Sequence, residues 1–428
     1  MGRFDEKFKI VGGKPLCGEV LIDGSKNAVL PILAATLLVD GRSIIHNCPN
    51  ISDTWDSIGI LRHLGCDVVY DGSSLVVDAS GAVSAPLPNA YVEKMRSSMI
   101  FVGSLLGRFS QIETIPPGGC MLGERPIDLH LKAFEAMGVV FEGGESLIKG
   151  KAATLKGTKI SLSFPSVGAT QNIMLAAVLA KGETIIEKAA KEPEIVDLQG
   201  FLNAAGAKVS GAGTSTIVIK GVKALKCPEY TIMPDRIVAG TYLVAGAITR
   251  GEVTLKNAKY QDIFPISDAL VAMGYKIYND GNKITLTTKG GIIRPLSLIS
   301  TGPHPAFPTD MQPQFVALLS TIQGRCSRNC ESMVKENVFE ARDAHVPELA
   351  KMGANITVAE GTHFTIKGAA SLTGAVVDAK DLRGGAALIL AGLFAQGETI
   401  VNNAYYVKRG YADIVGDLRG LGADISIF

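Results

Sequence analysis

The chain predicts an α/β fold of six repeated units, three in each of two domains, with apolar helices inside and β-sheets outside. Three observations predict it. A short apolar helix end closes on glycine and runs into a hairpin pattern six times: Leu64-Gly65-Cys66, Met137-Gly138-Val139, Ala205-Gly206-Ala207, Met273-Gly274-Tyr275, Met352-Gly353-Ala354 and Leu421-Gly422-Ala423. These glycines stand 73, 68, 68, 79 and 69 residues apart, the signature of related units rather than one continuous fold. Six helix-length segments that are apolar on nearly every face recur between them. Finally, 428 residues with 47% apolar content can fill more than one core, and a length well above ~250 residues predicts at least two domains.

The six apolar segments are LPILAATLLVDG, MIFVGSLLGRF, NIMLAAVLAKG, GTYLVAGAITRG, QFVALLSTIQG and AALILAGLFAQG. A helix that is apolar all round is buried all round. Each is shorter than the ~20 apolar residues a membrane span needs, so the protein itself must surround them. After several of them the chain turns at glycine into a half-buried strand: GETIIEKA from Gly182, GEVTLKNA from Gly251 and GETIVNNA from Gly397. A further helix leads to the hairpin, so one unit reads strand, helix, strand, helix, hairpin. The sixth unit stops at GADISIF without the second hairpin strand present in IVIKG and FTIKG, and FKIVG at 8–12 carries the same pattern. The first strand is therefore expected to complete the last unit. That gives one domain over 26–232 and a second over 1–25 and 233–428, joined by two crossings that make a hinge and a cleft.

Lys+Arg 42 against Asp+Glu 41 leaves a net charge of +1, so no overall field draws in nucleic acid or an anionic membrane. The opening MGRFDEKFKIVGG lacks the pattern of a secretory signal, which predicts a cytoplasmic protein. Seven scattered cysteines do not form a disulfide framework, and Cys326 with Cys330 lacks a second ligand pair at zinc spacing.

The units differ at the first turns of the buried helices: Ser25-Lys26-Asn27, Arg96-Ser97-Ser98, Ser166-Val167-Gly168, Asp235-Arg236, Thr309-Asp310 and Asp381-Leu382-Arg383. Helix starts offer unpaired N–H groups and partial positive charge, which together predict an anionic ligand. Ser, Thr and Asp there are also ordinary caps. Lys26, Arg96, Arg236 and Arg383 oppose the helix dipole and call for another reason. The second unit adds PPGGCMLGERPIDLH, 116–130, where others go directly from strand to helix; its glycine pair suits a mobile lid, and Cys120 near Arg125 should be a reactive thiol. Asp310 after a proline-rich turn is either a cap or a general base. Arg342 and Arg409 lie beside polar loop residues, as surface arginines often do.

Nine segments carry a family. SKNAVLPIL, PPGGCMLGERPIDLHL, FPSVGAT, KEPEIVDL, MPDRI, HPAFPTDMQPQF, HVPEL, DLRGGAALILAG and KRGY, in order along essentially the whole chain, closely resemble the enolpyruvyl transferases. The cysteine loop resembles that of the branch acting on UDP-N-acetylglucosamine and is absent from the shikimate-pathway relative. The resemblance implies the two-domain inside-out α/β barrel and a reaction without a cofactor or metal, the first committed step of peptidoglycan synthesis. The sugar 3-hydroxyl attacks C2 of phosphoenolpyruvate, and loss of phosphate from the tetrahedral adduct leaves the enolpyruvyl ether. It further implies that Lys26, Arg125 and Arg409 bind phosphoenolpyruvate, that Cys120 is a general acid on the lid and that Asp310 takes the hydroxyl proton. Asn27, Arg96 and Asp310 would hold the sugar nucleotide, with Pro126, Ile127, Asp128, Leu129, Ser166, Val167 and Val338 near the uridine. Asp381 and Arg383 would support the phosphoenolpyruvate side, and Arg342 would join the substrate-binding set. Partners beyond these two small molecules are not implied, and a monomer is expected. Val238, Ala341, Asp343 and Gly384-Gly385 depart from the family pattern, the glycine pair loosening the helix start after Arg383, and bear on affinity and hinge behaviour more than on the reaction. Two other readings stand beside this one: a shikimate-type transferase on the same fold, and a catalytically silent repeat protein that binds sugar nucleotides.

Overall fold

Apolar helices with almost no polar face need partners on every side, and the chain supplies them by folding into two compact units. The computed structural model describes residues 6–118, 127–142, 144, 146–322, 331–369 and 371–428. One unit runs from Gly24 to Met233, and the other combines the segment up to Asp23 with Pro234–Phe428. The chain passes between them at Asp23–Gly24 and again at Met233–Pro234.

The six buried helices span Lys26–Thr36, Ile100–Phe109, Val167–Ala177, Arg236–Ile248, Gln312–Ser320 and Leu382–Phe394. All thirteen residues of Arg236–Ile248 are buried, and the other five are buried along nearly their whole length. Close approach requires small residues. A Cβ on Gly103 would lie 2.4 Å from the Asn172 carbonyl oxygen, so glycine lets the Ile100–Phe109 and Val167–Ala177 backbones touch.

Two of the first turns differ from the expected α-helical start. Arg96–Met99 and Thr309–Met311 are 3-10 turns that lead into the helices following them.

Each unit carries three sheets. In five of the six a leading strand runs parallel to the strand after the buried helix; in four of these a hairpin adds to that strand's other side, and in the fifth two strands from opposite ends of the chain take that place. Cys17–Leu21 leads the sheet of Glu252–Lys256, and Glu229–Thr231 leads that of Arg42–His46. The sheet of Gln111–Thr114 has three strands among the described residues. Its leading position falls on Ala85-Pro86-Leu87-Pro88, where two prolines lack N–H groups and only Leu87 N–H reaches Glu113. Phe8–Val11 lies between Glu398–Asn402 and Asp424–Ile427, antiparallel to both.

Each of the six recurring glycines stands just past the end of a helix. Their φ values are 86°, 98°, 90°, 100°, 92° and 97°, left-handed backbone that glycine adopts without strain. The next N–H in each case, from Cys66, Val139, Ala207, Tyr275, Ala354 and Ala423, reaches back to the carbonyl five residues earlier, closing a Schellman motif.

Three expectations need correction. Gly182 and Gly397 are left-handed, but before Glu252 that conformation belongs to Arg250, and Gly251 is required because a Cβ would strike the Leu16 carbonyl. The second repeat is not alone in having a long strand-to-helix connection, since Lys335 to Val346 and Asn402 to Ile414 are also long. Gly384 and Gly385 do not loosen their helix: Asp381 caps the Gly384 N–H, and a Cβ on Gly385 would stand 2.7 Å from Val407.

Candidate active site

The predicted site residues fall in both units. In Gly24–Met233, Ser25 precedes the Lys26–Thr36 helix without a side-chain cap, and Lys26 is its first residue. The Lys26 ammonium is buried against Asp53, Nζ to Oδ2 2.6 Å, in the first turn of Ser52–His63. That carboxylate offsets the charge that opposes the dipole. Sequence reasoning did not single out Asp53, although its place in the first turn of a helix was a readable signal.

Ser166 is a plain cap, accepting the Ala169 N–H. Ile127 precedes the Asp128–Ala136 helix, which carries Asp128, paired with Lys132, and Leu129. His130 follows, and its geometry fixes its tautomer. Gly103 N–H can only donate, so it identifies the Asn172 oxygen; the Asn172 amide nitrogen then donates to Met99 O and to His130 Nδ1 at 2.9 Å. The His130 proton therefore sits on Nε2, beside Gly168 in the first turn of Val167–Ala177. Burial, then the charge of Arg96, lowers the His130 pKa to about 4.

The other unit gathers Asp310, Arg342 and Arg383. Asp310 Oδ1 accepts from Arg342 Nη2 at 2.9 Å, and Oδ2 from Arg383 Nη2 at 3.0 Å. Burial alone would raise the Asp310 pKa, but the charges of Arg383 and Arg342 outweigh it and hold the carboxyl far below the usual range. Asp310 is therefore not a helix cap. In this state it is also a weak base. Arg342 lies over the Phe339 ring at 5.0 Å and Arg383 over the Tyr411 ring at 6.0 Å. The Thr241 hydroxyl donates to Ile237 O, which leaves its oxygen to accept from the Tyr411 hydroxyl at 2.8 Å.

Asp381 caps its own helix through the Arg383 and Gly384 N–H groups. Val338 donates its N–H to Glu336. Arg409 closes the Ala404–Arg409 turn, which packs on the Leu382–Phe394 helix; a Cβ on the following Gly410 would meet Leu382 at 2.8 Å. Glu336, His345 and Tyr411 were not singled out either. Tyr411, inside KRGY, and His345, at the start of HVPEL, carried a sequence signal; Glu336 did not. Cys120, Arg125 and Pro126 lie outside the described residues, as do Cys326 and Cys330. Among the described residues no group of three His, Cys, Asp or Glu side chains is placed to hold a metal, and no helix is long and apolar enough to cross a membrane.

A carboxylate clamped by two arginines thus stands on a mixed α/β frame of small sheets and buried helices. Residues 10–418 match the family described as EPSP synthase (3-phosphoshikimate 1-carboxyvinyltransferase), and the chain belongs to this family of enolpyruvyl transferases. Within it, the chain is 49% identical over 421 residues to UDP-N-acetylglucosamine 1-carboxyvinyltransferase 2 of Caldanaerobacter subterraneus, covering 98% of this chain and 99% of the relative. It is 47% identical to the protein of the same name from Carboxydothermus hydrogenoformans, with the same coverage. Among solved structures, the enolpyruvyl transferase NikO from Streptomyces tendae superposes with a TM-score of 0.87 at 26% identity, over 99% of both chains. EPSP synthase from Acinetobacter baumannii, at 18% identity and a TM-score of 0.74 over 98% of this chain and 99% of that one, shares the fold.

Proposed function

We propose that the chain transfers the enolpyruvyl group of phosphoenolpyruvate to the 3-hydroxyl of UDP-N-acetylglucosamine, with release of phosphate. The observation that carries this is near-full-length identity of 47–49% to relatives that bear that activity in their names. The Asp310 centre supports it, because the reaction needs one group to take a proton and cations to hold anions.

In the addition step the sugar oxygen bonds to C2 of phosphoenolpyruvate, C3 gains a proton and the hydroxyl loses one. In the elimination step C3 returns a proton and the C2–O bond to phosphate breaks. We assign the hydroxyl proton to Asp310 and the acid role to Cys120 on a lid over 116–130. Lys26, Arg125 and Arg409 would bind phosphoenolpyruvate, with Asp381 and Arg383 supporting that side. Asn27, Arg96 and Asp310 would hold the sugar nucleotide, with Pro126, Ile127, Asp128, Leu129, Ser166, Val167 and Val338 near the uridine, and Arg342 would join the substrate-binding set. Asp310 becomes an effective base once an anionic substrate draws an arginine from it, since each departing cation raises its pKa.

The finer architecture we propose is the inside-out barrel: six copies of one unit, three per domain, the N-terminal strand completing the last. We further propose a cytoplasmic monomer that needs no cofactor. The deciding assay is phosphate release on mixing the protein with phosphoenolpyruvate and UDP-N-acetylglucosamine. Release with shikimate 3-phosphate instead would transfer the reading to the shikimate-type activity.

A further inference from the structure

Glu336 is 2% exposed, a buried carboxylate outside the set of residues assigned above. Its Oε1 accepts the N–H groups of Val338 and Phe339 at 2.9 and 3.2 Å, and its Oε2 lies 3.0 Å from the Thr309 hydroxyl. A carboxylate can only accept, so Thr309 gives it the one proton it has. The hydroxyl oxygen is left as an acceptor, and Arg342 Nη1, which can only donate, meets it at 2.6 Å. Each proton in this chain has one allowed place. Arg342 Nη2 is thereby directed onto Asp310, with the Phe339 ring beneath the guanidinium.

Arg383, the second partner of Asp310, is held differently. It rests on Tyr411, and its buried Nη1 has no hydrogen-bond partner among the described residues. Each arginine keeps one buried nitrogen without a hydrogen-bond partner among the described residues, Arg342 Nε and Arg383 Nη1, but only Arg342 is tied to a hydroxyl that a second carboxylate holds.

We infer that Glu336 and Thr309 are positioning residues for the transfer, locking Arg342 onto Asp310 through the Thr309 hydroxyl and fixing the turn that carries Val338. The inference rests on the assignment of Asp310 as the proton acceptor. With Arg342 locked, Arg383 is the cation that leaves Asp310 for an arriving anion. Without the lock, Arg342 also detaches and the Asp310 carboxyl becomes more basic before substrate arrives.

The charged groups facing Asp310 are Arg342 and Arg383. Behind them stand Glu336 at Thr309, His345 beside Arg342 with Asp381 next to His345, and Tyr411 and Asp235 beside Arg383. None of these moves in Thr309→Val, which preserves shape and removes the hydroxyl. Phosphate release is measured with phosphoenolpyruvate and UDP-N-acetylglucosamine across pH, first for the unaltered protein. Thr309→Val should lower kcat/KM about tenfold or more, the loss of one hydrogen bond to a charged group. Its acid limb should move to higher pH, because Asp310 with a raised pKa is protonated sooner as pH falls. Thr309→Ser keeps the hydroxyl and should restore both values. Equal rates and limbs in Thr309→Val and the unaltered protein overturn the inference, as does equal damage from Val and Ser. Should Thr309→Val not fold, Glu336→Gln decides, with the same shift expected and an unchanged limb contradicting it. An unaltered protein that releases no phosphate overturns the functional reading instead.

Discussion

Lys26 and Asp310 are the charged centres of the two units, and they are balanced in opposite ways. Among the described residues Lys26 is matched by the Asp53 carboxylate, a pair of opposite charges. Asp310 is shared between two arginines, with the carboxylates of Glu336 and Asp235 behind them, and its carboxyl is too acidic to act as a base at rest. The histidines differ too. His130 receives a hydrogen bond from Asn172, whereas neither nitrogen of the buried His345 has a hydrogen-bond partner among the described residues. A one-to-one pair holds a cation ready at little cost in net charge, and a carboxylate held by two cations can give one of them up to an arriving anion.

The largest way to break this contrast is Asp310→Asn, which removes the proton acceptor and leaves the arginines. We expect kcat to fall about 10²–10⁴-fold while the sugar nucleotide still binds by calorimetry. A variant that turns over at the normal rate would place the base elsewhere.

Cysteine chemistry comes next. Burial pushes the Cys48 thiol up to about 12 and the Cys66 thiol up to about 11, so neither should react at neutral pH. An epoxide mimic of phosphoenolpyruvate should alkylate Cys120 ahead of these two, and ahead of the exposed Cys17 and Cys227 if Cys120 lies in the substrate site, by peptide mass; even labelling would deny it a special environment. Asp53→Asn tests the one-to-one pair: with Lys26 less firmly held, kcat/KM for phosphoenolpyruvate should fall about tenfold, a smaller effect than at Asp310. An equal or larger loss would erase the difference between the two centres.

The histidines set a smaller, pH-dependent effect. Burial depresses His345, like His130, from 6.5 to about 4. The unfolded chain therefore binds more protons between those values, so the stability each neutral histidine provides is present above about pH 6.5 and is lost as pH falls towards 4. In denaturant titrations His345→Gln should flatten that loss; an unchanged slope would mean that His345 titrates normally. The smallest effect belongs to the frame. Gly353→Ala, at φ 92° with open space around it, should cost about 1 kcal/mol and leave kcat unchanged.

The frame was legible because its signals are local. A glycine closing a helix, an all-apolar helix and an alternating strand each announce themselves within a dozen residues, and the six Schellman glycines and six buried helices stand where their patterns lie. Ala85-Pro86-Leu87-Pro88 was equally readable, yet its consequence, a sheet without a leading strand, depends on which neighbour it meets. The site was half legible. Lys26, Asp310, Arg342 and Arg383 stood out as charges at odd places, but their pairing did not, because Asp310 meets residues 32 and 73 positions away. Glu336 was silent in sequence: a glutamate after a strand looks like any surface acid, and only burial reveals what it holds.

The most direct measurement is proton NMR and mass analysis of the product formed from phosphoenolpyruvate and UDP-N-acetylglucosamine. The account predicts vinyl protons of an enolpyruvyl ether on the sugar 3-oxygen, with one phosphate released per ether formed. Vinyl ether on shikimate 3-phosphate but none on the sugar nucleotide would contradict it.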